Sequence, residues 1–191
     1  MTGDPIRTLA PVDSKIEGTN PTVRIIHQDP RGFLMETLRQ DDARLGGSSF
    51  AMSYVSMTLP GKFRDADQWH VHQEQTDRFF VPLGQLILAL YDARPDSTTF
   101  DRLEALQMDG AAWNGTEPSE KHDLGTSVVS IPPGVYHCLG NVSRSPSLLV
   151  NFPTRLYSPA DEGRVPFAAV HPSGNGPPFA WSRVVPGPGQ R

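Results

Sequence analysis

Cysteine is almost missing from this chain: there is one, Cys138, among 191 residues. A single thiol forms no internal disulfide, so the fold must be held by its own core, and the chain suits a reducing compartment, read here as the cytoplasm. Clustered positive charge is missing too. Seventeen Lys and Arg stand against 21 Asp and Glu, for a net charge of −4, which excludes the electrostatic footprint of a nucleic-acid binder. No apolar run approaches the length needed to cross a bilayer. The opening residues, MTGDPIRTLAPVDSK, carry no apolar stretch of signal-peptide type. Neither a Gly-rich phosphate loop nor a Ser-His-Asp nucleophile motif occurs. Helical character is scarce: only 101–108 and 159–163 have a helical or turn-helix flavour.

What is present is punctuation, in the form of 19 prolines and 17 glycines. They break the chain into short apolar and β-branched runs at 23–27, 33–38, 50–59, 78–82, 85–91, 127–131, 136–139 and 148–152. Gly84 reads as a tight turn between two paired strands. Eight or more short strands divided by Gly/Pro turns predict an all-β sandwich or barrel. A jelly roll, whose facing sheets enclose a pocket, is the expected form. Residues 1–22 read as a loose, extended N-terminal segment and 23–158 as the barrel. Residues 159–191 read as a C-terminal segment, too rich in Pro for a helix or a central strand. Its Phe179 and Trp181 are expected to dock on the barrel or on a partner subunit.

The chemistry-bearing residues form two clusters. His70-Val71-His72 is followed by Asp77 and then Gly84. Far downstream, Pro132-Pro133-Gly134 precedes His137 and Asn141. Two histidines one residue apart point the same way from a strand. A carboxylate just past a turn and a third His from a distant strand would close a compact site. Such groups suit Fe, Mn, Ni, Co or Zn with open positions left over. Equally, a metal-free pocket can use the same imidazoles as acid, base or hydrogen-bond donors. Tyr136 has the opposite parity to His137 and is expected in the core or at an interface. Asn141 is expected to fix the turn after His137, and Glu74 to face solvent. Gln75 either builds the turn or contacts a substrate. Arg78 is expected to be solvated or at an interface, and Cys138 to be a small buried residue. His27, His122 and His171 lack partners in the pattern and are expected at the surface or satisfied in the core.

The order and spacing of these clusters resemble the two conserved motifs of the cupin superfamily. The resemblance implies His70, His72 and His137 as ligands, with Asp77 in place of the family's Glu. Between residues 29 and 159 the chain is also similar to the dTDP-4-dehydrorhamnose 3,5-epimerase family, itself a cupin. The stretches DPRGFLMET, QTDRFFVPLGQLILALYDARPDSTTF, IPPGVYHCLGN and PTRLYSP carry that similarity. It implies a cupin-type jelly roll and epimerase or isomerase chemistry on a 4-keto sugar. A base removes the proton beside the ketone to give an enolate, and an acid returns a proton to the opposite face.

By this resemblance the base is His70. The family's Asp partner falls near Ala169, Val170 and His171, and its acidic Tyr near Val150 or Asn151; neither residue type is there. Arg31 and Glu36 match groups around the nucleotide, and Leu34 or Phe33 the base-stacking aromatic. Asp67 replaces a phosphate-binding Arg, and Asp77 a pocket Lys. The expected catalytic set is therefore His70, His72, Asp77 and His137, which is also the expected set for any divalent metal. The expected substrate-binding set is Arg31, Glu36, Gln75 and Asn151. The family resemblance further implies a homodimer acting on a sugar or nucleotide sugar. Two other classes stay open: a metal-dependent cupin oxygenase or isomerase on a small chelating metabolite, and a non-catalytic carbohydrate- or metabolite-binding cupin.

Overall fold

Alternation of side chains along the strands builds this molecule, because both faces of its main sheet are covered. In the computed structural model, described over residues 3–39, 41–42, 50–110 and 119–185, thirteen strands form two sheets. They are β1 (Ile6–Leu9), β2 (Thr22–Asp29), β3 (Gly32–Leu34), β4 (Tyr54–Thr58), β5 (Gln68–His72), β6 (Asp77–Leu83) and β7 (Gln85–Asp92), then β8 (Leu103–Asp109), β9 (Ser119–Ile131), β10 (Val135–Gly140), β11 (Ser147–Asn151), β12 (Glu162–Pro166) and β13 (Val184–Val185). One sheet runs β12-β5-β10-β7-β8-β1-β13 and the other β3-β2-β9-β6-β11-β4. The two face each other as an all-β jelly roll, the fold class expected from the sequence.

β7 shows why the strands are so apolar. Leu86, Leu88 and Leu90 enter the core between the sheets, with Val81, Leu106, Met108, Val129 and Leu149. Ala89 and Tyr91, of opposite parity, join Trp69 and Cys138 on the other face of the same sheet. That second face would meet water were it not covered by Phe167, Val170 and Phe179 of the C-terminal segment. Trp69 lies with its ring centroid 5.0 Å from both Phe167 and Phe179. A strand buried on both faces reads as a continuous apolar run. Phe179 and Trp181 both pack against this cluster on the barrel.

Several expectations need correction. The N-terminal segment is not loose: β1 lies between β8 and β13, parallel to both. Residues 101–108 are not helical. β8 pairs with β7 over seven residues, and that ladder overrides a weak local preference. After the turn at 159–161, β12 adds an edge to the larger sheet beside β5. The run 33–38 is strand only through Leu34; Met35 and Leu38 pack on Phe80 and Val128 outside the smaller sheet. Arg78 is buried, with its Nε donating to the Phe152 carbonyl at 2.9 Å. Residues 186–191 of the expected tail and the His122 side chain lie outside the described residues.

Gly84 does not join paired strands. It carries the chain from β6 in one sheet to β7 in the other, at φ +80°. A Cβ there would lie 2.5 Å from Ser147 Oγ and 2.7 Å from the Pro146 carbonyl oxygen. Gly84→Ala combines the left-handed penalty of about 1–2 kcal/mol with this overlap. Urea unfolding is expected to show a loss of at least about 2 kcal/mol; an unchanged midpoint would mean the crossover does not take this path.

Candidate functional site

The residues facing inward around the cavity come from both sheets, and strand register aligns them. On the larger sheet His70 of β5 lies directly opposite His137 of β10. On its other side β5 pairs with β12, so that His72 meets Glu162 and His70 meets Arg164. On the smaller sheet Asn151 of β11 lies between Phe79 of β6 and Tyr54 of β4. Parity then turns His70, His72 and His137 from one wall, and Asp77, Asn151 and Tyr54 from the other, toward the same space. A cavity of about 630 Å³ occupies it, lined among others by Tyr54, Arg64, His70, Asp77, His137 and Arg164.

Asp77 is the centre of the polar network. Its carboxylate is 2% exposed. Oδ1 accepts from Gln75 Nε2 at 2.8 Å and from Asn151 Nδ2 at 2.8 Å. Oδ2 faces His137 Nε2 at 3.4 Å and His72 Nε2 at 3.6 Å. Burial by itself would raise this carboxyl's pKa. The hydrogen bond and charge of His137, the Asn151 amide and the charge of His72 outweigh burial and hold it below its ordinary value. His137 Nδ1 donates to the Val135 carbonyl at 3.2 Å, since a carbonyl can only accept. A hydrogen bond from Nε2 to Asp77 therefore requires the ring to carry both protons.

His70 and His72 touch through their Nε2 atoms at 2.9 Å. Each has a carboxylate on its far side. His72 Nδ1 is 3.1 Å from Asp161 Oδ2, and His70 Nδ1 is 3.7 Å from Glu162 Oε1, which also pairs with Arg164.

Asn151 is locked by its neighbours. Its Oδ1 accepts from the Arg78 backbone N–H at 2.9 Å, so its amide nitrogen must face Asp77 and Tyr54. Nδ2 donates to the Tyr54 hydroxyl at 3.0 Å. The Tyr54 oxygen is thus an acceptor in this bond, and its own O–H proton is free to be donated elsewhere. Burial raises the pKa of this phenol, partly opposed by the Asn151 bond.

The structure brings His70, His72, Asp77, His137, Gln75 and Asn151 together. Arg31 and Glu36 do not line this cavity. Arg31 pairs with Asp29 and lines a separate cavity of about 300 Å³ with Phe33 and Leu34; Glu36 pairs with Arg39. Asn141 fixes its turn, donating to the Thr58 and Ser145 carbonyls. Five groups at the site escaped the sequence reading: Tyr54, Arg64, Asp161, Glu162 and Arg164. Tyr54 is separated from Asn151 by 97 residues and Asp161 from His72 by 89. Only strand pairing could have joined them.

The donors expected for a metal are engaged with one another. His72 Nε2 meets both His70 Nε2 and Gln75 Nε2, the latter at 3.1 Å, and Asp77 Oδ1 is filled by two amide donors. Among the described residues no group of three or more His, Cys, Asp and Glu is disposed to hold a metal ion. The arrangement does not fit the expected metal, and what it offers chemically is proton transfer.

No protein-family model matches the chain. It is 34% identical over 145 residues to the probable low-salt glycan biosynthesis epimerase of Haloferax volcanii, covering 74% of this chain and 82% of that protein. It is 30% identical over 154 residues to the spore coat polysaccharide biosynthesis protein SpsL of Bacillus subtilis, covering 80% and 90%. Its fold is similar to that of a dTDP sugar isomerase from Desulfovibrio desulfuricans. The TM-score there is 0.69 at 23% identity, over 87% of this chain and 92% of that one.

Asp77→Ala removes the acceptor for two buried amides and the counter-charge for His137. A loss of about 2–4 kcal/mol is expected in urea unfolding at neutral pH. Because the folded-state pKa of Asp77 is depressed, its contribution is present above the ordinary carboxylate value and fades as pH falls below about 4. The gap between wild type and variant should narrow in acid. A gap independent of pH would contradict this.

Proposed function

The chain belongs to the dTDP-4-dehydrorhamnose 3,5-epimerase-like cupins, and we propose that it inverts a carbon beside the ketone of a nucleotide-linked keto sugar. The observation that carries this reading is the placement of a base and a proton donor on facing walls of one cavity. His70 comes from the larger sheet and Tyr54 from the smaller, so a sugar ring between them would be approached from both faces.

His70 takes the proton from the carbon next to the carbonyl, and the electron pair of that C–H bond moves into the carbonyl as an enolate. Glu162, near His70 Nδ1, stands in for the family's Asp and steadies the imidazolium that forms. His137, backed by Asp77, stabilises charge on the enolate oxygen, the step where electrostatic catalysis contributes most. The Tyr54 hydroxyl delivers its proton to the opposite face. The phenolate left behind keeps the Asn151 Nδ2–H bond. Return of a proton to Tyr54 and loss of one from His70 to solvent complete a cycle with no net redox change.

Loss of the family's phosphate Arg at Asp67 and its Lys at Asp77 weakens the hold on a diphosphate, since each charge-assisted contact contributes roughly 1.5–3 kcal/mol. Arg64 and Arg164 in the cavity wall are cations able to replace them. Arg31 and Glu36 serve the pocket of a second copy in a homodimer. An exposed apolar stripe supports association: Val55, Met57 and Leu59 at the β4 edge, with Leu83, are all more than half exposed, and such an edge is normally covered or charged. No helix among the described residues is long and apolar enough to cross a membrane, and we place the enzyme in the cytoplasm.

Solvent-deuterium wash-in beside the ketone of a nucleotide-linked 4-keto-6-deoxy sugar tests the chemistry. His70→Ala is expected to lower exchange by roughly 10²–10⁴-fold. Tyr54→Phe should abolish inversion yet keep exchange, because His70 still removes and returns a proton on its own face. No exchange in the wild type with several keto sugars would refute the reading. Light scattering is expected to give a dimer mass, and Val55→Lys to shift it toward the monomer.

A further inference from the structure

We propose that Asp161 is a positioning residue of this site. It holds His72 in the tautomer whose Nε2 is an acceptor for His70, and it ties the turn after β5 to the segment before β12. The use made of the His pair rests on the epimerase reading above; the tautomer itself does not.

Both oxygens of Asp161 have defined tasks. Oδ1 accepts from the backbone N–H of Gln73 at 2.9 Å and of Glu74 at 2.7 Å. Oδ2 faces His72 Nδ1 at 3.1 Å and the Gln75 N–H at 3.3 Å. The Asp161 backbone carbonyl also accepts from Gln73 N at 3.2 Å. Its side chain is 10% exposed, so little water competes. A carboxylate among so many donors can only accept, and His72 Nδ1 must therefore carry a proton.

The other end of the ring gives the same answer independently. His72 Nε2 lies 3.1 Å from Gln75 Nε2, an amide nitrogen whose orientation is set by donation to Asp77 Oδ1. An amide nitrogen can only donate, and at 3.1 Å it is the nearer neighbour, Asp77 Oδ2 lying beyond hydrogen-bond reach at 3.6 Å. In the neutral ring Nε2 of His72 therefore presents its lone pair. That lone pair points at His70 Nε2, which donates to it in the resting site. Passing that proton to His72 frees Nε2 of His70 to act as the base, with its Nδ1–H turned toward Glu162. The base and its neighbour are thus coupled by one N–H···N bond whose direction Asp161 sets from 89 residues away in the chain. Orientation of a catalytic imidazole by a carboxylate behind it is a recurrent device. Here the carboxylate acts one ring removed from the base and also builds the turn that carries Gln75.

Asp161→Asn separates these tasks. The Gln73 and Glu74 N–H groups require an oxygen, so the amide oxygen goes to them and the NH₂ falls on His72 Nδ1. That nitrogen must then accept, and the neutral ring inverts to the Nε2–H tautomer, facing the donors on His70 and Gln75. The expected result is a variant that folds, with ¹⁵N spectra of labelled protein showing His72 changed from Nδ1–H to Nε2–H. Its kcat for the keto-sugar exchange should fall roughly 10²–10⁴-fold with KM changed less than about threefold. Asp161→Ala, which loses the turn as well, should lower the melting temperature in addition. Retention of the Nδ1–H tautomer in Asp161→Asn, or an unchanged kcat, overturns the assignment. Should that variant fail to fold, the wild-type spectrum decides: His72 protonated at Nε2 alone refutes the proposal, and at Nδ1 supports it. The spectrum requires no substrate, so a wild type inactive in the exchange assay sinks the epimerase reading and leaves the tautomer assignment to be judged separately.

Discussion

A carboxylate buried between two sheets is the constraint from which the rest of the site follows. Asp77 could not be sealed in the interior without partners, because an unpaired buried charge costs several kcal/mol. Its Oδ1 is met by the amides of Gln75 and Asn151 and its Oδ2 faces two imidazoles. Each partner is held in turn by a group with no freedom to rearrange. Asn151 is pinned by the Arg78 backbone, His137 by the Val135 carbonyl and His72 by Asp161. The network is thus directional: in most of its bonds only one of the two atoms is able to donate. Proton positions follow from covalent structure, which is what an acid–base site needs.

The scaffold achieves this by giving the two faces of its larger sheet different work. Residues of one parity (His70, His72 and His137) face the cavity. Their immediate neighbours, Trp69 and Cys138, are fully buried under the C-terminal segment. Aromatic packing of Trp69 on Phe167 and Phe179 fixes the backbone that carries the imidazoles. Trp181 extends this clamp, stacking on Phe63 at 4.7 Å and donating to the Asp65 carbonyl at 2.9 Å. Beyond β12 the C-terminal segment therefore supports the site from behind, while its first residues, Asp161, Glu162 and Arg164, enter it.

Departure from the family pattern has a spatial logic. Where the family's Tyr is expected the chain has Val150 and Asn151, yet the hydroxyl returns from the next strand as Tyr54, bonded to Asn151 itself. Where an Asp is expected near Ala169 the chain has none, yet Glu162 reaches the far side of His70 from β12. Side chains directly opposite one another on neighbouring strands lie within contact distance, so a group absent from one strand can be supplied by the next. Under the proposed function, acid, base and base-partner all survive, two of them supplied from new sequence positions.

The sequence by itself determined the all-β class, the pairing of His70 with His72 on one face, and the likeness to cupins. Each of these depends on local spacing: Gly/Pro punctuation, period-two alternation, and motif order. The outer packing of β7 was half visible as an unbroken apolar run. Tertiary structure alone decided the rest. Whether 101–108 became a strand, whether Gly84 turned within a sheet or crossed between sheets, and whether Arg78 was exposed all depended on which strands became neighbours. Tyr54, Asp161 and Glu162 joined the site for the same reason. A hydrogen bond between residues about ninety apart leaves no periodic trace in the chain, because it is specified by register between strands and not by spacing along one.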